Sequence, residues 1–97
     1  MNKRHEDRKK VYMNAPENKE FYAANGAVIR NLFELSDAVE HMDEHTFSHH
    51  VNESNNDFSS WVRDVVGEHA LADRLNQSKD KHQHTVSILR HLVDAIR

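Results

Sequence analysis

Apolar positions along this chain fall into short clusters at helical spacing, separated by polar runs rich in helix-capping residues. Leu32, Leu35, Val39 and Met42 recur at three and four residues, behind an Asn31 and Glu34 pair with capping-box spacing, so a helix is predicted over about 32–42. Asp43 is the next cap-competent residue and opens a shorter helix through Phe47 and Val51, which stops in the polar run Asn52-Glu53-Ser54-Asn55-Asn56. Asp57 is the expected cap of a third helix, Phe58 to Val66, with Phe58, Trp61, Val62 and Val65 on one face and Gly67 closing it. Ala70, Leu71 and Leu75 mark a fourth, short helix. Ser78 is expected to open the last one, in which Val86, Leu89, Val93 and Ile96, joined by Leu92 and flanked by Ile88, form a broad apolar stripe.

Ahead of the helices, Phe-Tyr-Ala-Ala and Ala-Val-Ile-Arg flank Asn25-Gly26, a pair favoured in type I′ turns, which predicts a small hairpin. An irregular loop needing only positive φ near Gly26 is the alternative. Residues 1–19 show no sustained periodicity apart from Val11-Tyr12-Met13 and contain the only proline, Pro16. They are expected to be a flexible or loosely docked arm, with a single domain over residues 20–97. The fold class that follows is mostly α: four or five short helices around one small core, with a small N-terminal β-hairpin.

Ninety-seven residues, 37% of them apolar, support one core of modest stability, and 30% charged residues leave a polar exterior. No apolar run is long enough to span a bilayer and the first ten residues lack an apolar signal centre, so a cytoplasmic location is expected. The absence of cysteine removes disulfides, thiolate metal sites and thiol nucleophiles. The net charge of −3 is unevenly spread: Lys3, Arg4, Arg8, Lys9 and Lys10 stand against Glu6 and Asp7 at the start, +3 in all, which leaves −6 on the remainder. The head can attract a phosphate backbone that the body should repel.

The segment NDFSSWVRDVVGEHALADRL, with Asn56-Asp57-Phe58, Trp61-Val62-Arg63-Asp64-Val65 and Leu71-Ala72, resembles an uncharacterised family of small helical domains of unknown function found in archaeal and bacterial proteins. Gly26, Asn31-Leu32, Glu34-Leu35, Phe47, His50 and Val51 extend the resemblance over roughly residues 21–76. Glu68 stands where the family pattern has aspartate. The resemblance implies a helical fold and no particular activity, substrate or cofactor. Read physically, its residues are scaffold, with Asp57 capping, Asn56 closing the turn, and Phe58 and Trp61 supplying buried area.

Nine histidines raise the question of metal binding. His41, His45 and His49 follow one another at intervals of four, with Asp37 one step earlier, and would share a face on a continuous helix. Asp43 should interrupt that helix, and the HExxH arrangement is absent, so no metal site or cofactor is expected. His50 is expected to donate to a backbone or carboxylate oxygen; His82, His84 and His91 are expected to be exposed. No serine lies in a G-x-S-x-G elbow, two glycines cannot build a phosphate-binding loop, and the carboxylates fall on helix starts and polar faces, so no catalytic residue is nominated.

The chain therefore reads as a non-enzymatic protein-interaction or assembly module. Its candidate interaction residues are Val86, Leu89, Leu92, Val93 and Ile96, with a partner protein or a second copy as the partner. Complete burial of that stripe against Leu35, Val39 and Trp61 is the competing expectation. A nucleic-acid or ribosome-associated role would instead use Lys3, Arg4, Arg8, Lys9 and Lys10.

Overall fold

Capping chemistry fixes most element boundaries in the computed structural model, which describes residues 11–96. A hairpin of β1 (Phe21–Tyr22) and β2 (Val28–Ile29) precedes α1 (Leu32–His41), α2 (Glu44–His50), α3 (Asp57–Trp61), a π-helical turn (Val62–Val66), α4 (His69–Leu75) and α5 (Lys81–Ile96). The protein is thus mostly helical with a small N-terminal antiparallel hairpin, as the patterning predicts. Asn31 accepts from the Glu34 N–H at 2.8 Å, while the Glu34 carboxylate reaches back to the Arg30 N–H at 2.8 Å. Asp43 accepts from the Thr46 N–H and starts α2. At the far end of α1, the Lys81 ammonium donates to the carbonyl of Glu40 at 2.9 Å, neutralising the negative end of that helix.

Four local expectations need correction. The hairpin pairs Phe21 with Ile29 and Tyr22 with Val28, but Asn25 does not have the positive φ that a type I′ turn requires. Instead the Gly26 N–H bonds the Ala23 carbonyl, and within the turn only Gly26 takes a positive φ, 93°. Asn56, not Asp57, caps α3, its side-chain oxygen accepting from the Ser59 N–H; both residues are competent caps, and the backbone leaves the bridge with Val51 at Asn56. The last helix opens at Lys81 behind Asp80, whose carboxylate accepts from the Gln83 N–H, while Ser78 holds the Asp80 N–H from outside the helix.

The fourth correction concerns the third helix, which changes from α to π at Val62. A π-turn carries more residues per turn than an α-turn, so positions five apart fall on one line and Val66, rather than Val65, joins Phe58, Trp61 and Val62 in the core. Gly67 ends the segment at φ 81° with its N–H on the Val62 carbonyl.

The core is continuous. Its most extensive element contact is α1 against α5, with Leu32, Leu35 and Val39 buried on one helix and Ile88 and Leu92 on the other. Phe47, Phe58, Leu71 and Leu75 complete it, and Phe21 seals one end against Phe58, His50 and Trp61 with ring centroids 5.0–6.1 Å apart. Trp61 is 7% exposed, and its indole N–H donates to the Lys19 carbonyl at 2.8 Å.

That bond belongs to a wider set of contacts made by the segment ahead of the hairpin. Val11 is buried, Tyr12 stacks on Phe33 at 5.5 Å and donates from its hydroxyl to the Leu92 carbonyl at 3.0 Å, and the Ala15 N–H bonds the Arg30 carbonyl. Residues 11–19 are therefore tied to the domain at Val11, Tyr12, Ala15 and the Lys19 carbonyl, while Met13, Asn14 and the side chains of residues 16–19 are exposed. One small apolar side chain and one aromatic ring suffice to dock such a segment, a signal too slight to register as periodicity.

Candidate functional site

α5 has two apolar faces, and the core takes the less obvious one. His84, Thr85, Ile88 and Leu92 are buried, with Ala95 partly so, whereas Val86, Leu89, Val93 and Ile96 are 37%, 45%, 47% and 73% exposed. Of the five predicted stripe residues, Leu92 alone enters the core, and complete burial of the stripe is overturned. Ile88, expected on the flank, lies fully buried at the centre of the α1–α5 contact. At 100° per residue the exposed quartet centres about 105° around the helix from the buried one, so a single helix cannot present both to the same neighbours.

Arg90 and Asp94 run along one edge of the exposed stripe and, with Val86, Leu89 and Val93, line a shallow groove. The other edge is closed by the chain itself. In an α-helix the carbonyl of residue 92 points toward residue 96, so the Tyr12 hydroxyl meets α5 beside Ile96, and Phe33, 51% exposed, stacks behind it. Sequence periodicity misses this aromatic edge because it is assembled from residues far apart in the chain. The apolar exposure of Phe33 at an otherwise polar position of α1 is the one signal that could have marked it.

Asn56, Asp57 and Trp61 are fully engaged as scaffold. The Asn56 amide donates to the Leu75 carbonyl at 3.1 Å and to His84 Nε2 at 3.2 Å while its oxygen caps α3, so one side chain joins α3, α4 and α5. Asp57 accepts from His50 Nδ1 at 3.0 Å and from Asn55 at 2.9 Å. His50 Nε2 accepts the Ala24 N–H at 3.0 Å, which pins the hairpin, so the expected donation to a carboxylate is observed along with a second role.

The remaining histidines do not assemble. His84 and His91 correct the expectation of exposure: His84 is 1% exposed, with Nδ1 donating to the Asp80 carbonyl, and burial pushes its pKa below the ordinary imidazole value against the opposing pull of that bond. His91 sits 2.7 Å from the Glu68 carboxylate, both about 15% exposed. His82 is exposed. α1 ends at His41 and α2 begins after the Asp43 cap, so the row of His41, His45 and His49 is broken. Among the described residues, the one group of three or more carboxylate and imidazole side chains whose ligand atoms all lie within 4.8 Å of one another is Asp37, Glu40 and His41, all exposed. His41 Nδ1 is already taken by the Asp37 carbonyl at 2.8 Å, which with the Asp37 carboxylate raises its pKa.

Lys3, Arg4, Arg8, Lys9 and Lys10 lie outside the described residues. No described helix is long and apolar enough to cross a membrane. Neither a curated protein nor a solved structure matches the chain. The profile of DUF5752, a family of unknown function, matches residues 19–96, from the residue that receives the Trp61 indole to the end of α5, and the chain belongs to that family.

Proposed function

We propose that this domain is a non-enzymatic protein-interaction and assembly module whose docking surface is the outward face of α5, and whose occupant is the apolar face of another helix. The observation that carries the reading is the spacing of Val86, Leu89, Val93 and Ile96: three, four and three residues, all solvent-facing, on a helix whose core contacts are already satisfied by Ile88 and Leu92. Exposed apolar residues scattered singly need no explanation, but four aligned on one helix face, with a charged edge and an aromatic edge, have the form of a helix-docking surface. The engagement of Asn56, Asp57 and Trp61 within the fold supports a scaffold role for the family-like motif and no catalytic one.

A photoreactive residue placed at Val93 in the cell tests this. Covalent protein adducts at that position, and none with the same probe at the exposed Glu17, are the expected result. Absence of adducts at position 93 refutes the docking surface. A second reading, nucleic-acid binding through Lys3, Arg4, Arg8, Lys9 and Lys10, is supported by the +3 head and opposed by the −6 remainder. It requires an affinity for duplex or single-stranded nucleic acid that falls steeply with salt.

A further inference from the structure

We infer that the occupant of the α5 face is a second copy of this chain, with the two α5 helices antiparallel about a two-fold axis beside position 91. This rests on the docking reading above and adds the identity and register of the partner. Val86 and Ile96 each stand five residues from His91, and Leu89 and Val93 each stand two away. Antiparallel superposition about that point sets Val86 opposite the partner's Ile96 and Leu89 opposite the partner's Val93, twice each by symmetry, so the stripe is complementary to itself.

The charged edge chooses the same orientation. Arg90 and Asp94 lie along one side of the stripe. A two-fold antiparallel pair brings like edges together, so each Arg90 comes within one helical turn of the partner's Asp94. The opposite edges, formed by Tyr12 and Phe33, then meet across the pair. A parallel pair would press Arg90 and Asp94 against the edge where the partner's own Tyr12 and Phe33 cover α5, leaving both charges without opposite partners.

Sedimentation equilibrium of the full chain over a concentration series is the first measurement, with a mass of twice 11.3 kDa expected at the upper end. Leu89→Glu should return the mass to that of one chain, with melting unchanged at concentrations low enough for the native chain to be monomeric too. Arg90→Glu, at an exposed polar position that folding does not need, should raise the dissociation constant about tenfold, and Arg90→Glu with Asp94→Arg should restore it. Since the chain has no cysteine, register can be read directly: a mixture of Leu89→Cys and Val93→Cys chains should oxidise to the mixed disulfide in preference to either symmetric one. A chain monomeric at every concentration, a dimer that survives Leu89→Glu, or symmetric cross-links in preference to mixed ones each overturns the pairing. If the chain is monomeric alone while the position-93 probe still captures another protein, the second copy fails and the docking surface stands. If both fail, the surface itself is refuted.

Discussion

Replacing Asn56 should unfasten three helices at once, and the identity of the replacement should decide the sign of a pH dependence. Asn56→Ala removes the α3 cap, about 1 kcal/mol, and leaves Nε2 of the fully buried His84 without its donor, about 1–3 kcal/mol. The Leu75 carbonyl ends α4 near exposed residues and can be rehydrated, so it adds little. The sum, about 3 kcal/mol, lowers the melting temperature by about 12–24 °C in a domain of this size. Urea unfolding followed by the fluorescence of Trp61, the single buried tryptophan, gives the value; a loss below about 1 kcal/mol would refute the role assigned to Asn56. The second variant, Asn56→Asp, keeps the cap and replaces the amide donor with a carboxylate. In the native protein His84 is held neutral with its pKa depressed by burial, so its contribution is complete above the unfolded value of 6.5 and is lost as pH falls below it, by at most about 1.4 kcal/mol per pH unit. With Asp at 56, a protonated His84 can donate to the new carboxylate, its folded pKa rises, and its contribution is present below pH 6.5 and lost as pH increases. The difference in stability between the two proteins should therefore change in favour of the variant on going from pH 7.5 to 5.5, with the other histidines cancelling in the comparison. Parallel stability curves would show that Asn56 and His84 do not communicate.

The two faces of α5 should separate energetically: Ile88→Ala should cost about 2–5 kcal/mol, whereas Leu89→Ala, measured by urea unfolding at low protein concentration, should cost under about 1 kcal/mol. Removal of residues 1–16 takes away the buried Val11 and the Tyr12 to Leu92 bond, and is expected to lower the melting temperature measurably, contrary to what the polar composition of that segment suggests. Tyr12→Phe alone should cost about 1 kcal/mol in the same assay. Calorimetric melting should be unmoved by a chelator, because Asp37, Glu40 and His41 are all exposed and no part of the core depends on them.

Features of this fold that depend on neighbouring residues are legible in its sequence, and those that depend on distant ones are not. Asn31, Asp43 and Gly67 announce helix ends because a cap acts within four positions, and the burial of Trp61 follows from its spacing to Phe58. The cap of α3 was displaced by one because Asn56 and Asp57 are equally able, and only the bonds from Asn56 to Leu75 and His84 favour the first. Periodicity marked one broad stripe on α5, with Ile88 on its flank, and could not pick out the face that enters the core, since the buried face includes the polar His84 and Thr85 while the exposed face is apolar throughout. Of the five residues nominated from the sequence, Val86, Leu89, Val93 and Ile96 face outward and Leu92 belongs to the interior, while Arg90 and Asp94 lie along the edge of the exposed four.

Packing α1 against α5 also governs the time course of folding. Lys81 reaches back to Val39 across 42 positions, and Tyr12 reaches Leu92 across 80. Most small helical proteins gain their contacts between successive helices and fold in microseconds to milliseconds, because little chain must be closed into loops before contacts form. Here the central helix pair can form only after the whole of α2, α3 and α4 has been drawn into a loop, and the closure entropy precedes the burial that compensates it. The chain should accordingly refold toward the slow end of the helical range, with α5 docking as the committing step and Leu35 and Val39 exposed until it arrives.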